Sequence, residues 1–196
     1  MIQKFNGYEE AKKNAQVKKS EQLPVGAYVC EILRVKQENG YLKLQFDVAE
    51  GEYKDFFQKQ YKENTDENKK YKGITTIWLP KEDGTQQDSW TKDKFAKWTT
   101  ALEDSNEGYF WDWDETKWQG KKVGILYGEV GKNIEGKDVK YNECRYPCSV
   151  DYARSGKAKA PKFFAYKGYN ESKAPESSKP ADFMNIPDDI SEEIPF

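Results

Sequence analysis

Six side chains in two neighbouring stretches, YLKLQFDV and EYKDFFQKQY, have the types and spacing for one particular chemistry: Tyr41, Lys43, Tyr53, Phe57, Lys59 and Tyr61 set aromatic rings beside ammonium groups. A ring left in water can receive the face of any planar heterocycle, and a lysine next to it can follow a phosphate. Tyr41 alternates with polar neighbours and reads as exposed, whereas Phe57 fits an open face or a core equally well. Arg145, followed by Arg154, Lys157, Lys159 and Lys162, could extend a phosphate track, or form an ordinary solvated run.

Catalytic chemistry has less to work with. The chain contains no histidine, so it lacks the commonest general base, the commonest metal ligand and any Ser-His or Cys-His nucleophile. With 34 Asp and Glu in 196 residues, close acidic pairs arise by chance and none marks a carboxylate site by spacing alone. Cys30, Cys144 and Cys148 are an odd number in strand-like sequence, which fits reduced thiols better than a disulfide framework and makes a weak zinc case. Neither an enzyme nor a cofactor or metal is expected.

Charged residues make up 34% of the chain and the mean hydropathy is −1.04, yet aromatics reach 15%, more than a chain with nothing to bury or stack carries. All 32 Lys and Arg lie in residues 1–180 with 29 acids, a net charge of +3; the five acids of residues 181–196 make that end −5. A mildly basic body on an acidic tail suggests a polyanion for the first and a different partner for the second. No apolar run is long enough to span a bilayer, and MIQKFNGYEEAKK lacks a signal-peptide core, so a cytoplasmic, non-membrane location is expected.

The elements that must position these residues follow from periodicity. Asn6 and Glu9 have the spacing of a helix start, giving a helical appendage over 1–22. AYVCEILRVKQ is a strand whose inward phase shifts between Ile32 and Leu33, the mark of a bulge. In YLKLQFDV, Leu42, Leu44, Phe46 and Val48 take one face, and Tyr41, Lys43, Gln45 and Asp47 the other. EYKDFFQKQY reads as the next strand of a hairpin, and GITTIWLP as a strand or an extended part of an insertion. From Ser89 as N-cap, Phe95, Trp98 and Leu102 have helical spacing; KKVGILYGEV and DVKYNECRYPCSV are the closing strands, with a turn over Gly131 to Gly136. Five strands with a helix between the third and fourth predict a mainly β chain, an OB-fold barrel over 23–154, whose second and third strands bind oligonucleotides or oligosaccharides.

YFWDWDETKW gathers Tyr109, Phe110, Trp111, Trp113 and Trp118, either as a cover over a barrel end or as a stacking or sugar-binding shelf. From about 155, Ser, Lys, Ala, Pro and Gly predict a flexible linker to 180, although Phe163, Phe164, Tyr166 and Tyr169 within it could dock on the domain.

The chain finishes PDDISEEIPF, with Asp188, Asp189, Glu192 and Glu193 ahead of Ile194, Pro195 and Phe196. An apolar ring displayed on a tether behind acids suits insertion into a pocket ringed by basic groups. This ending resembles the tip of bacterial single-stranded-DNA-binding proteins. GAYVCEI, LKLQFDVAEGEY and WQGKKVGILYGE are similar to phage-encoded OB-fold DNA-binding proteins. The resemblance implies a disordered tail over 181–196 that recruits replication, recombination and repair enzymes, with Phe196 in an apolar pocket and the four acids on its basic rim. It also implies a bacterial host cytoplasm if the protein is phage-encoded. The expectation is therefore a non-enzymatic protein that binds and protects single-stranded DNA with little sequence preference, using Tyr41, Lys43, Tyr53, Phe57, Lys59, Tyr61 and Arg145. A carbohydrate-binding β-barrel is the alternative, and a carboxylate-metal nuclease a third reading.

Overall fold

The computed structural model describes residues 6–8 and 21–171. The expected N-terminal helix lies almost wholly outside them, as do residues 172–180 and the tip from Asp188 to Phe196. Among the described residues the chain is mainly β, with strands β1 (Gly26–Glu38), β2 (Tyr41–Val48), β3 (Ile74–Trp78), β4 (Lys122–Ile134), β5 (Lys137–Cys148) and β6 (Phe164–Ala165). Three α-helices interrupt them: α1 (Phe56–Glu63) between β2 and β3, α2 (Gln86–Ser105) between β3 and β4, and α3 (Val150–Arg154) after β5. The sheet runs β3-β2-β1-β4-β5, with β6 paired to β4. No helix among these residues is long and apolar enough to cross a membrane.

The clean alternation of β2 does what it predicts: Leu42, Leu44, Phe46 and Val48 are all buried. Opposite them the register of β1 slips between Ile32 and Arg34, so Leu33 is the extra residue of the expected bulge. Ile32 and Val35 thereby both face the core, paired with Phe46 and Leu44. Trp118, Val123, Ile125 and Leu102 complete that core, and Phe95 and Trp111 pack on Trp118 at 6.0 and 5.2 Å between ring centroids.

Two assignments change. EYKDFFQKQY is not a strand: after Asp55, which sits in the left-handed region at φ 60°, residues 56–63 wind into α1. That helix has no side-chain cap of its own. Its start is held by Asp47 of β2, which accepts from the backbone N–H of Phe57 (3.0 Å) and Gln58 (2.8 Å). The third strand is instead GITTIWLP, entered at Gly73, where a Cβ would stand 2.2 Å from the Phe46 carbonyl oxygen, so only glycine fits. The long helix also starts earlier than Ser89, because the Thr85 side chain accepts from the Asp88 N–H at 3.2 Å and is the N-cap.

The chain divides into two compact units. The larger comprises residues 23–130 and 141–164. Burial pushes the Cys144 thiol up to about 12 and Cys148 to about 11, and raises Cys30 too, so all three stay protonated and unreactive at neutral pH.

In the same unit Glu50 ties the β2–α1 turn to two other elements. It accepts from Lys122 Nζ at 2.8 Å and from Arg154 Nε and Nη2 at 2.9 and 2.6 Å, which hold its carboxyl at about 2, below its ordinary 4.5. A depressed carboxyl contributes stability that is complete above the unfolded value and is lost as pH falls through the folded one. Urea midpoints should therefore drop between pH 4.5 and 2 in the parent and drop less in Glu50→Gln. Parallel profiles would show that the cluster contributes nothing.

In the smaller unit, β4 runs on to Ile134 and turns through Glu135 and Gly136, both at positive φ, a tighter hairpin than the expected turn from Gly131. Residues 165–171 lie against this hairpin: the Tyr166 N–H donates to the Gly131 carbonyl at 2.8 Å, and the Asn170 N–H to Asp138 Oδ1 at 3.1 Å. Tyr166 and Tyr169, within the expected linker, are thus docked on this hairpin.

Candidate nucleic-acid interface

Pairing of β1, β2 and β3 lines up three rows of side chains on the face away from the core. They are Arg34, Gln45 and Ile74; Lys36, Lys43 and Thr76; and Glu38, Tyr41 and Trp78. The ring centroids of Tyr41 and Trp78 lie 5.3 Å apart with the planes tilted by 60°, so neither ring covers the other face to face. Arg34 and Lys43 carry no ion pair among the described residues, and Lys36 meets Glu38 at 3.0 Å. The Tyr41 hydroxyl donates to the same Glu38, and this bond together with Lys36 holds the Glu38 carboxyl below its ordinary value. The face therefore offers three cations against one acid that is already engaged.

Beside this face α1 and the loop after it raise a wall, because Asp47 pins the first turn of the helix to the end of β2. Asp47 is 3% exposed and accepts from Val48, Phe57 and Gln58 N–H groups and from the Tyr71 hydroxyl. Between wall and sheet is an open depression of about 440 Å³, lined by Leu33, Gln45, Gln58, Tyr61, Lys62, Lys69 and Tyr71, with no carboxylate among them. Lys69 Nζ sits 4.8 Å from the centroid of the Tyr61 ring and donates to the Asn64 carbonyl at 3.2 Å.

The six side chains read from the sequence do not form one continuous row. Tyr41 and Lys43 stand on the open face, and Tyr61, 37% exposed, lines the depression. Lys59 is exposed on α1 but donates to the Lys54 carbonyl at 2.7 Å. Tyr53 is half-buried, edge-on to Tyr28 at 5.9 Å and Phe56 at 6.1 Å. Phe57 is 3% exposed and belongs to the core, packed on Phe46 at 5.6 Å, so it is no stacking residue. Helical winding turns it inward, where strand periodicity had placed it beside Lys59.

Arg145 is covered as well. It pairs with Glu143 at 2.8 Å, and the Phe164 ring centroid lies 4.4 Å from its guanidinium carbon, so it is not presented to an external phosphate in this arrangement. Trp78, Arg34, Lys36, Gln45 and Gln58 are the residues that sequence reading left out. Of these, Gln45 had a visible signal in its alternation with Tyr41 and Lys43, and Trp78 in being an aromatic near the end of a β-branched run.

The Trp-rich segment separates into two parts. Trp118 is fully buried, with Trp111 and Phe95 around it, the packing role that was one of the two readings of the cluster. Trp113 and Phe110 are instead 81% and 77% exposed. No group of three or more metal-binding side chains occurs among the described residues. No protein-family model matches this sequence, and no curated protein matches it significantly.

Proposed function

We propose that this protein binds single-stranded DNA with little sequence preference, protects it without catalysis, and brings partner enzymes to it through its C-terminal tip. The observation that carries the reading is the outward β1-β2-β3 face, where Arg34, Lys36 and Lys43 lie beside the open rings of Tyr41 and Trp78. Rings that do not cover each other face to face can stack on unpaired bases of any identity, while the cations follow the backbone. Duplex DNA hides its base faces and cannot use the rings.

An OB-type barrel is the architecture we assign to the larger unit. Support comes from the strand order and from the placement of α2 between β3 and β4. Recruitment rests on sequence alone: Asp188, Asp189, Glu192 and Glu193 steer toward a basic surface, and Ile194, Pro195 and Phe196 enter an apolar pocket on a replication, recombination or repair enzyme.

Titration of tryptophan fluorescence with oligo-dT, duplex DNA and RNA at two salt concentrations tests the DNA reading. Single strands should bind more tightly than duplex, with substantial affinity surviving added salt. Equal affinity for duplex, or binding abolished by moderate salt, would mean that charge alone is at work. Exposure of Trp113 and Phe110 favours one second reading, a carbohydrate-binding module, in which oligosaccharide and not oligo-dT would quench the fluorescence.

A further inference from the structure

We infer that the depression between β2 and α1 is a pocket for one nucleobase of a bound strand, held by its edge as well as its face; this rests on the single-strand reading above. The open face explains stacking and charge, and its one carboxamide, Gln45, stands where the face meets the depression. It occupies the row next to Lys43, and Gln58 faces the same space from the first turn of α1. Neither side-chain amide has a hydrogen-bond partner among the described residues. Both are half-buried, where an unspent donor and acceptor favour a ligand that supplies the complement.

The remaining lining fits a nucleotide. Tyr61 contributes a ring, Leu33, pushed out of register by the bulge, an apolar floor, and Lys62 and Lys69 the charge for the flanking phosphates. The volume of about 440 Å³ falls within the range of small-molecule sites, and the absence of carboxylates from the lining leaves no repulsion toward a phosphodiester. A carboxamide has both a carbonyl and an N–H₂ group, so a half-turn about its last bond exchanges donor for acceptor. Two such amides can therefore meet the edge of any of the four bases. The pocket demands a base without demanding a particular one, which is how an edge-reading site coexists with weak sequence preference.

The side-chain N–H₂ signals of Gln45 and Gln58, assigned by their loss in Gln45→Met and Gln58→Met, report the pocket directly. The ¹⁵N-labelled full chain is titrated with oligo-dT, oligo-dA and a deoxyribose-phosphate strand of the same length that lacks bases. Both amides should shift with dT and with dA and stay in place with the abasic strand. Tyr61→Ala should abolish those shifts and weaken dT binding about tenfold. Oligomers that bind and move the Trp78 indole signal while leaving both amides untouched would overturn the pocket and keep the single-strand reading. Equal shifts with the abasic strand would also overturn it, since the site would then hold backbone only. Failure of every oligomer to bind would remove both.

Discussion

Asp47→Ala should lower the unfolding free energy by about 4 kcal/mol, a large share of what a domain of this size has in reserve. The side chain is nearly inaccessible and accepts from three backbone N–H groups and one tyrosine hydroxyl. Each backbone donor left without a partner in a buried place costs about 1–3 kcal/mol; the Tyr71 hydroxyl keeps the Phe46 carbonyl at 3.0 Å, and the sum is further reduced because the first turn of α1 can fray and let water in. Fraying is itself a readout. The Phe57 and Gln58 amides should lose most of their hydrogen-exchange protection while those of β4 keep theirs, and Asp47→Asn, which retains one acceptor oxygen, should fall about midway in urea unfolding. A loss below about 1 kcal/mol in the alanine variant would show that α1 is held by Phe57 packing and that the carboxyl is incidental. The link to function is direct, because α1 is the wall that carries Gln58 and Tyr61.

What the sequence made legible, and what it hid, divides along one physical line. Patterns set within a strand are readable: the alternation of β2 gave the core face, and the doubled apolar phase at Ile32 and Leu33 located the bulge. Features set by contact between distant segments were not. The residues of EYKDFFQKQY satisfy two periods, since Tyr53, Phe57 and Tyr61 are four apart as well as an even number apart. The choice between strand and helix falls to Asp47, whose bonds to Phe57 and Gln58 reach 10 and 11 residues along the chain. In the same way Asp47 reads as a surface residue from its alternation with Tyr41, Lys43 and Gln45, until α1 is placed over it. Trp78 becomes a partner of Tyr41 only through the register of β3 against β2, and Arg145 is lost as a free cation only because Phe164 folds back onto it. Asp47 and Trp78 sit at or beside the proposed DNA track, so the site was the least legible part of the molecule.

Replacing both rings of the open face separates stacking from charge. Tyr41→Ala and Trp78→Ala should each weaken oligo-dT binding about tenfold, and the double variant somewhat less than a hundredfold, because rings 5.3 Å apart lean on each other and their effects do not add fully. The dependence of affinity on salt should be the same in all three variants, since no phosphate contact has been removed. Lys43→Ala should do the opposite: a smaller loss at low salt and a salt slope shallower by about one. Both rings are partly exposed and outside the core, so thermal unfolding should move little and a misfolded variant would be recognised at once. The comparison has a definite failing outcome. If the double variant binds oligo-dT within about twofold of the parent while Lys43→Ala, Arg34→Ala and Lys36→Ala abolish binding, the face is an electrostatic shelf. Preference for single strands must then arise elsewhere, with the exposed Trp113 and Phe110 the next rings to replace.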